Sequence, residues 1–132
     1  MMNNPKILLV DDDEDILFVN KIILSEANFD IDTSNDPEDA LMKCKSKDHD
    51  MFILDYMMPK MKGDELARRI IEYKKSQGLP ANIVFLTGLV EFVNFLKNVG
   101  GISNLVLGKP IGAHDLIEAI RSRINQPLVI CA

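Results

Sequence analysis

Cysteine is scarce in this chain of 132 residues, with Cys44 and Cys131 as its only two. They stand far apart, without CxxC spacing and with no histidine at metal-ligand distance, so reduced thiols are expected rather than a disulfide or a zinc site. Long apolar runs are also missing, since none approaches the ~18 residues of a membrane span. The segment from Met1 to Lys6 has neither the basic start nor the apolar stretch of a signal peptide. A soluble, cytoplasmic protein with no membrane partner is therefore expected. Positive charge is in deficit, 15 Lys and Arg against 20 Asp and Glu for a formal charge of −5. Such a field repels phosphate backbones, which disfavours nucleic acid and suits a metal cation or a basic partner. Repeats, low-complexity tracts and Gly/Ser linkers are absent too. One compact domain over residues 6–126 follows, with a short tail over 127–132.

What the chain does contain is a regular alternation. Short apolar runs at Ile7 to Val10, Phe29 to Thr33, Met51 to Leu54, Ile83 to Leu86 and Leu105 to Leu107 predict five strands. Helical spacing fills the gaps. Ile16, Val19, Ile23 and Ala27 form one stripe, and Asp36 with Pro37 caps a second helix running to about Lys45. Leu66, Ala67, Ile70 and Tyr73 mark a third helix. A fourth is predicted from about Val90 to Val99, stopped by Gly100 and Gly101, and Ala113, Leu116, Ile117, Ile120 and Ile124 mark the fifth. Strand–helix alternation with apolar strands predicts an α/β fold, a doubly wound parallel sheet covered on both faces.

Ligands of such sheets bind beyond the carboxyl ends of the strands, and four of the five ends carry polar groups. Strand one runs into Asp11 and Asp12, strand three into Asp55, strand four into Thr87 and strand five into Lys109. Asp13, Glu14 and Asp15 read as an acidic helix start that complements the helix dipole. Asp11, Asp12 and Asp55 read as functional, because three carboxylates at one edge repel unless a proton or cation joins them. A hard divalent cation with oxygen ligands, such as Mg2+, is the economical answer. Met58 and Met61 read as packing residues, while Pro59 and Gly63 shape the loop after Asp55. His49 and His114 are expected at the surface.

The stretches ILLVDDDEDI, FILDYMMPKMKG, IVFLTG and LGKPI resemble, in order and spacing, the receiver domain of two-component response regulators. The resemblance covers about Lys6 to Ile124. It implies the flavodoxin-like (βα)5 fold with a five-stranded parallel sheet in the order 2-1-3-4-5. It implies Asp55 as phosphoacceptor, with Mg2+ held by Asp12 directly, by Asp11 through water, by Asp55 and by the backbone carbonyl of Met57. Thr87 resembles the switch hydroxyl and Lys109 the ammonium that pairs with the phosphoryl group. Gly88 is as small as the family's usual residue beside that hydroxyl, and Pro110 matches a proline that follows the lysine through a cis peptide bond. Val106 departs from the pattern, since the family often has an aromatic switch residue three positions before the lysine.

The implied function is a signalling switch in a phosphorelay rather than a turnover enzyme, assisting its own phosphorylation and dephosphorylation. Its partner would be a histidine kinase or histidine phosphotransfer protein. Met57 and Leu89 flank the expected acyl phosphate and, being apolar, would slow its hydrolysis. Helix four is apolar nearly all round, and the family commonly docks partners on helix four, strand five and helix five. An effector or a second copy is thus expected at a face including Val90, Val93, Phe95 and Val106. An aspartyl-nucleophile phosphatase would need a carboxylate at position 57, where methionine stands. A flavodoxin would place its flavin phosphate against the acidic run Asp11 to Asp15, which repels it. A degenerate receiver scaffold, or a receiver from a hybrid kinase or transcription regulator, completes the alternatives.

Overall fold

A computed structural model describes residues 4–125, apart from the side chain of Val90. The tail from Pro127 on, Cys131 included, lies outside the described residues. The elements run β1 (Lys6–Val10), α1 (Glu14–Glu26), β2 (Asp30–Ser34), α2 (Pro37–Ser46), β3 (Met51–Asp55), α3 (Gly63–Ser76), β4 (Ile83–Thr87), α4 (Val93–Leu96), β5 (Leu105–Gly108) and α5 (Ala113–Ile124). All five strands are parallel and lie in the order β2-β1-β3-β4-β5. The sheet is the one expected, each strand within a residue or two of its sequence reading.

Residue alternation divides the core. Leu8, Val10, Phe52, Leu54, Ile83 and Phe85 face α2, α3 and α4, whereas Ile7, Leu9, Met51, Ile53, Val84 and Leu86 face α1 and α5. Every residue of β3 and β4 is buried, which suits central parallel strands with helices on both faces. The helix starts follow their local chemistry. Asp13 caps α1 by accepting from the Asp15 and Ile16 N–H groups, and Asp36 caps α2 ahead of Pro37. Glu14 and Asp15 sit in the first turn of α1, as the acidic start predicted.

Three expectations are corrected. Val19 is 51 % exposed, as the α1 stripe is rotated so that Leu17 and Leu24 are buried and Ile16, Ile23 and Ala27 are half-buried. The periodicity there was ambiguous because Leu17, Phe18 and Ile22 offer a second apolar set. Helix four is not continuous from Val90 to Val99. A 3-10 turn over Val90–Phe92 leads into the single α-turn of α4, and a second 3-10 turn over Val99–Gly101 follows, with Gly100 at φ 75°. This segment has no side-chain N-cap, and β-branched and aromatic residues crowd it. His49 is buried rather than at the surface, 5 % exposed and stacked near Phe52. Its Nε2–H donates to Asp32 Oδ2 at 3.3 Å, which gives one of its two ring nitrogens a partner, while buried Nδ1 has none among the described residues. His114 is exposed as expected, and Cys44 is a buried free thiol.

Candidate functional site

Strand register assembles the site. Val10 pairs with Leu54, so Asp11 leaves β1 level with Asp55 at the end of β3. Thr87 pairs with Gly108, which sets Lys109 one residue beyond the end of β4. Local backbone bonds then hold each residue in place. The Asp11 N–H donates to Ser34 O at 3.2 Å and the Lys109 N–H to Thr87 O at 2.8 Å. The Lys109–Pro110 peptide bond is cis, as the resemblance implies.

Asp11, Asp12 and Asp55 each place a carboxylate oxygen within 4.8 Å of the others. Asp11 and Asp55 are buried and Asp12 is exposed, so the cluster opens to solvent on one side. Lys109 Nζ bridges the two buried carboxylates, 2.7 Å from Asp11 Oδ2 and 3.2 Å from Asp55 Oδ1. The other Asp11 oxygen accepts from the Asp13 N–H at 3.0 Å. One ammonium against three carboxylates leaves a negative surplus. Burial, reinforced by the Asp11 charge, pushes the Asp55 carboxyl up to about 6 even though Lys109 pulls the other way. Burial alone would lower the Lys109 ammonium, yet the bond to Asp11 and the attraction of Asp11 and Asp55 outweigh it and raise it.

The donor set fits a hard divalent cation. Its atoms are carboxylate oxygens, they are already close, and the charge they carry exceeds what Lys109 neutralises. Thr87 is buried 2 % exposed at the end of β4, and its Oγ1 accepts from the Leu89 N–H at 3.1 Å, so it caps the turn that follows. Gly88 is exposed, Leu89 is half-buried and Met57 is 46 % exposed beside the cluster. Met58 is buried and Met61 packs on the core, as read from sequence. Of the expected partner face, Phe95 is 46 % exposed whereas Val93 and Val106 are half-buried.

Two features were not read from the sequence. A Cβ on Gly63 would meet Asp55 O at 2.3 Å and Tyr56 Cα at 2.9 Å, while its N–H donates to Tyr56 O at 2.7 Å. Gly63 is thus needed for close approach, and the only sequence signal was a glycine closing the loop after Asp55. Tyr56 stacks on Phe92 with centroids 4.8 Å apart and meets Phe95 edge-on at 6.4 Å. Nothing in the spacing of those three aromatics announces that contact.

Residues 7–121 match the family model described as the response regulator receiver domain. The alkaline phosphatase synthesis transcriptional regulatory protein PhoP of Bacillus subtilis is 35 % identical over 112 residues, covering 85 % of this chain and 41 % of that protein. Response regulator ArlR of Staphylococcus aureus is 27 % identical over 121 residues, covering 92 % of this chain and 53 % of that protein. The chain therefore spans about half the length of these curated relatives. Among solved structures, response regulator TrrA of Thermotoga maritima, determined in complex with Mg2+-BeF, superposes with a TM-score of 0.78 at 31 % identity, over 90 % of this chain and 98 % of that one. The chemotaxis response regulator CheY4 of Vibrio cholerae shares the fold, with a TM-score of 0.79 at 24 % identity over 91 % of this chain and 98 % of that one. Four motifs scattered through the sequence meet at one edge of a 2-1-3-4-5 sheet, and the match to the family model runs through all of them: the chain belongs to the response regulator receiver domain family.

Proposed function

We propose that this receiver is a Mg2+-dependent phosphoacceptor in a two-component phosphorelay, with Asp55 taking the phosphoryl group from a phosphohistidine partner. One observation carries the reading: three carboxylates share a space of 4.8 Å while a single ammonium bridges two of them. Asp11, Asp12, Asp55 and the Met57 backbone carbonyl would hold the metal, which supplies charge neutralisation to the transferring phosphoryl group. A carboxylate oxygen of Asp55 forms the new P–O bond. The P–N bond to the partner's imidazole breaks, and the imidazole keeps the electron pair and takes up a proton. Lys109, already 3.2 Å from Asp55 Oδ1, would pair with the added oxygens, Thr87 would donate its hydroxyl to one of them, and exposed Gly88 would leave their approach open. Met57 and Leu89 offer no hydrogen bond to an attacking water, so the acyl phosphate decays slowly.

The donor is a histidine kinase or a histidine phosphotransfer protein, the setting is cytoplasmic, and the switched surface is the α4, β5 and α5 face that serves an effector or a second copy. Among the described residues no helix is long and apolar enough to cross a membrane. Transcriptional control, named for PhoP, is said of that longer protein. A scaffold that has lost its chemistry is the second reading, but the full acidic set with Lys109 and Thr87 favours the switch.

The test is intact-mass spectrometry after incubation with acetyl phosphate, with and without Mg2+. Wild type gains one phosphoryl mass only with Mg2+, and Asp55→Asn gains none. Equal gain in Asp55→Asn would refute the assignment.

A further inference from the structure

We propose that Tyr56 does the coupling work that an aromatic at position 106 would otherwise do, as the fixed ring against which the 89–101 segment switches. The inference rests on the reading of Asp55 as phosphoacceptor. Val106 carries no ring, and it pairs with Phe85 in the register of β4 and β5. Tyr56 is 7 % exposed, bonded directly to Asp55 and in contact with both Phe92 and Phe95.

Two routes from the site converge on this cluster. One is covalent, from Asp55 to Tyr56. The other runs from Thr87 through its Oγ1, which accepts from the Leu89 N–H, to Leu89 O, which accepts from the Phe92 N–H at 3.1 Å. Leu89 and Phe92 pack against the same core cluster that contains Tyr56.

The two routes differ in stiffness, and that sets which side moves. Tyr56 is clamped, because its carbonyl accepts from the Gly63 N–H at 2.7 Å and the Gly63 backbone lies against Asp55 and Tyr56 too closely for a Cβ. The opposing segment is one α-turn between two 3-10 turns. Its far half is tied down, with Leu96 and Val99 buried and Asn104 donating to the Leu96, Val99 and Lys97 carbonyls. The 89–95 half has no such anchor among the described residues, and a short stretch of that kind is where low-energy rearrangement is expected. On this proposal Thr87 bonds a phosphoryl oxygen by changing its χ1 well, which carries Oγ1 away from the Leu89 N–H. The 89–92 turn then loses its pin, and Phe92 and Phe95 slide on the stationary Tyr56 ring. The output is a changed exposure of Phe95, which already stands 46 % exposed at the surface.

The experiment uses the whole chain, 15N-labelled, with amide shifts of Asp55, Lys109 and residues 89–106 recorded before and after acetyl phosphate and Mg2+, and intact mass read on the same samples. In wild type the shifts at 93–106 change as the phosphoryl mass appears. Tyr56→Phe keeps the ring and retains them. Tyr56→Leu removes the ring and loses more than half of the change at 93–106 while gaining the same phosphoryl mass and keeping the changes at Asp55 and Lys109. Thr87→Ala, phosphorylated, likewise loses the change at 93–106 although the new charge beside Tyr56 is still there. Phe92→Leu tests the contact from its other side and should behave as Tyr56→Leu does. Full retention of the 93–106 changes in phosphorylated Tyr56→Leu or Phe92→Leu overturns the coupling role. Absence of phosphoryl mass on wild type overturns the phosphoacceptor reading itself, and the coupling proposal with it.

Discussion

The two ends of the sheet handle carboxylate charge in opposite ways. Toward the end where the strands start, half-buried Asp32 of β2 is flanked by His49 at 3.3 Å, Lys47 at 3.6 Å and Lys43 at 4.0 Å. Burial alone would raise its carboxyl, but the His49 hydrogen bond and the two lysines outweigh burial and hold it below the ordinary range. At the end where the strands finish, Asp55 has a share of one lysine and two acidic neighbours, and its carboxyl is pushed up to about 6. Both are aspartates of one small domain. The first is balanced within the chain and serves the fold, while the second is left in surplus and calls for something from outside.

Removing the single cation of the surplus end should have the largest effect. Lys109→Met leaves Asp11 and Asp55 facing each other without a counter-charge, and we expect a loss of about 2–3 kcal/mol in metal-free urea unfolding at pH 7, below the range for fully buried pairs because Lys109 is partly exposed. Mg2+ should restore part of it. An unchanged midpoint would mean that the bridge at Asp11 and Asp55 carries no weight.

The pH dependence of stability sharpens the contrast. A carboxyl raised in the folded state holds its proton more tightly there than in the unfolded chain. Its contribution is therefore fully present below its unfolded value of 3.8 and is lost as pH rises to about 6. Metal-free wild type should lose at most about 2 kcal/mol relative to Asp55→Asn between those limits and then run parallel to it. At the balanced end the sign reverses. The Asp32 carboxyl is lowered in the fold, so its contribution is present above the unfolded value and is lost as pH falls through the lowered one. Asp32→Asn should cost at most about 1 kcal/mol at pH 7, screened as these partly exposed pairs are, and leave phosphoryl gain unchanged.

The smallest effect should be a gain. Asp12→Asn removes one repelling charge from the exposed rim of the cluster, so the metal-free melting temperature should rise by about 3 °C while the stabilisation by Mg2+ disappears. A variant that melts lower without metal, or that keeps the full Mg2+ response in differential scanning calorimetry, would show that the surplus is not what that end stores.

The same contrast explains what could be read from the amino-acid order alone. The surplus end was legible because its residues occupy strand ends, where a parallel sheet must bring them together, and Asp11, Asp55, Thr87 and Lys109 arrived in register as expected. The balanced end was not. His49 has no patterned neighbour in sequence, and its burial depends on Asp32 of β2, seventeen positions away, and on Phe52. Helix faces were legible where one apolar stripe stands alone, as in α3, and were misread in α1, where Val19 and Leu17 compete for the core. The fourth helix failed for a third reason: six apolar residues in ten define no single buried face, so tertiary contacts with Tyr56 and the core decide its shape.

The most direct test of the surplus is a 13C NMR titration of the aspartate carboxyl groups in wild type, metal-free and with Mg2+. Metal-free, Asp55 should titrate near 6 and Asp32 below the ordinary carboxylate range. With Mg2+ the Asp55 transition should move down in pH as the cation fills the charge deficit, while that of Asp32 stays in place. An Asp55 that titrates near 4 without metal, or that ignores Mg2+, would contradict the account.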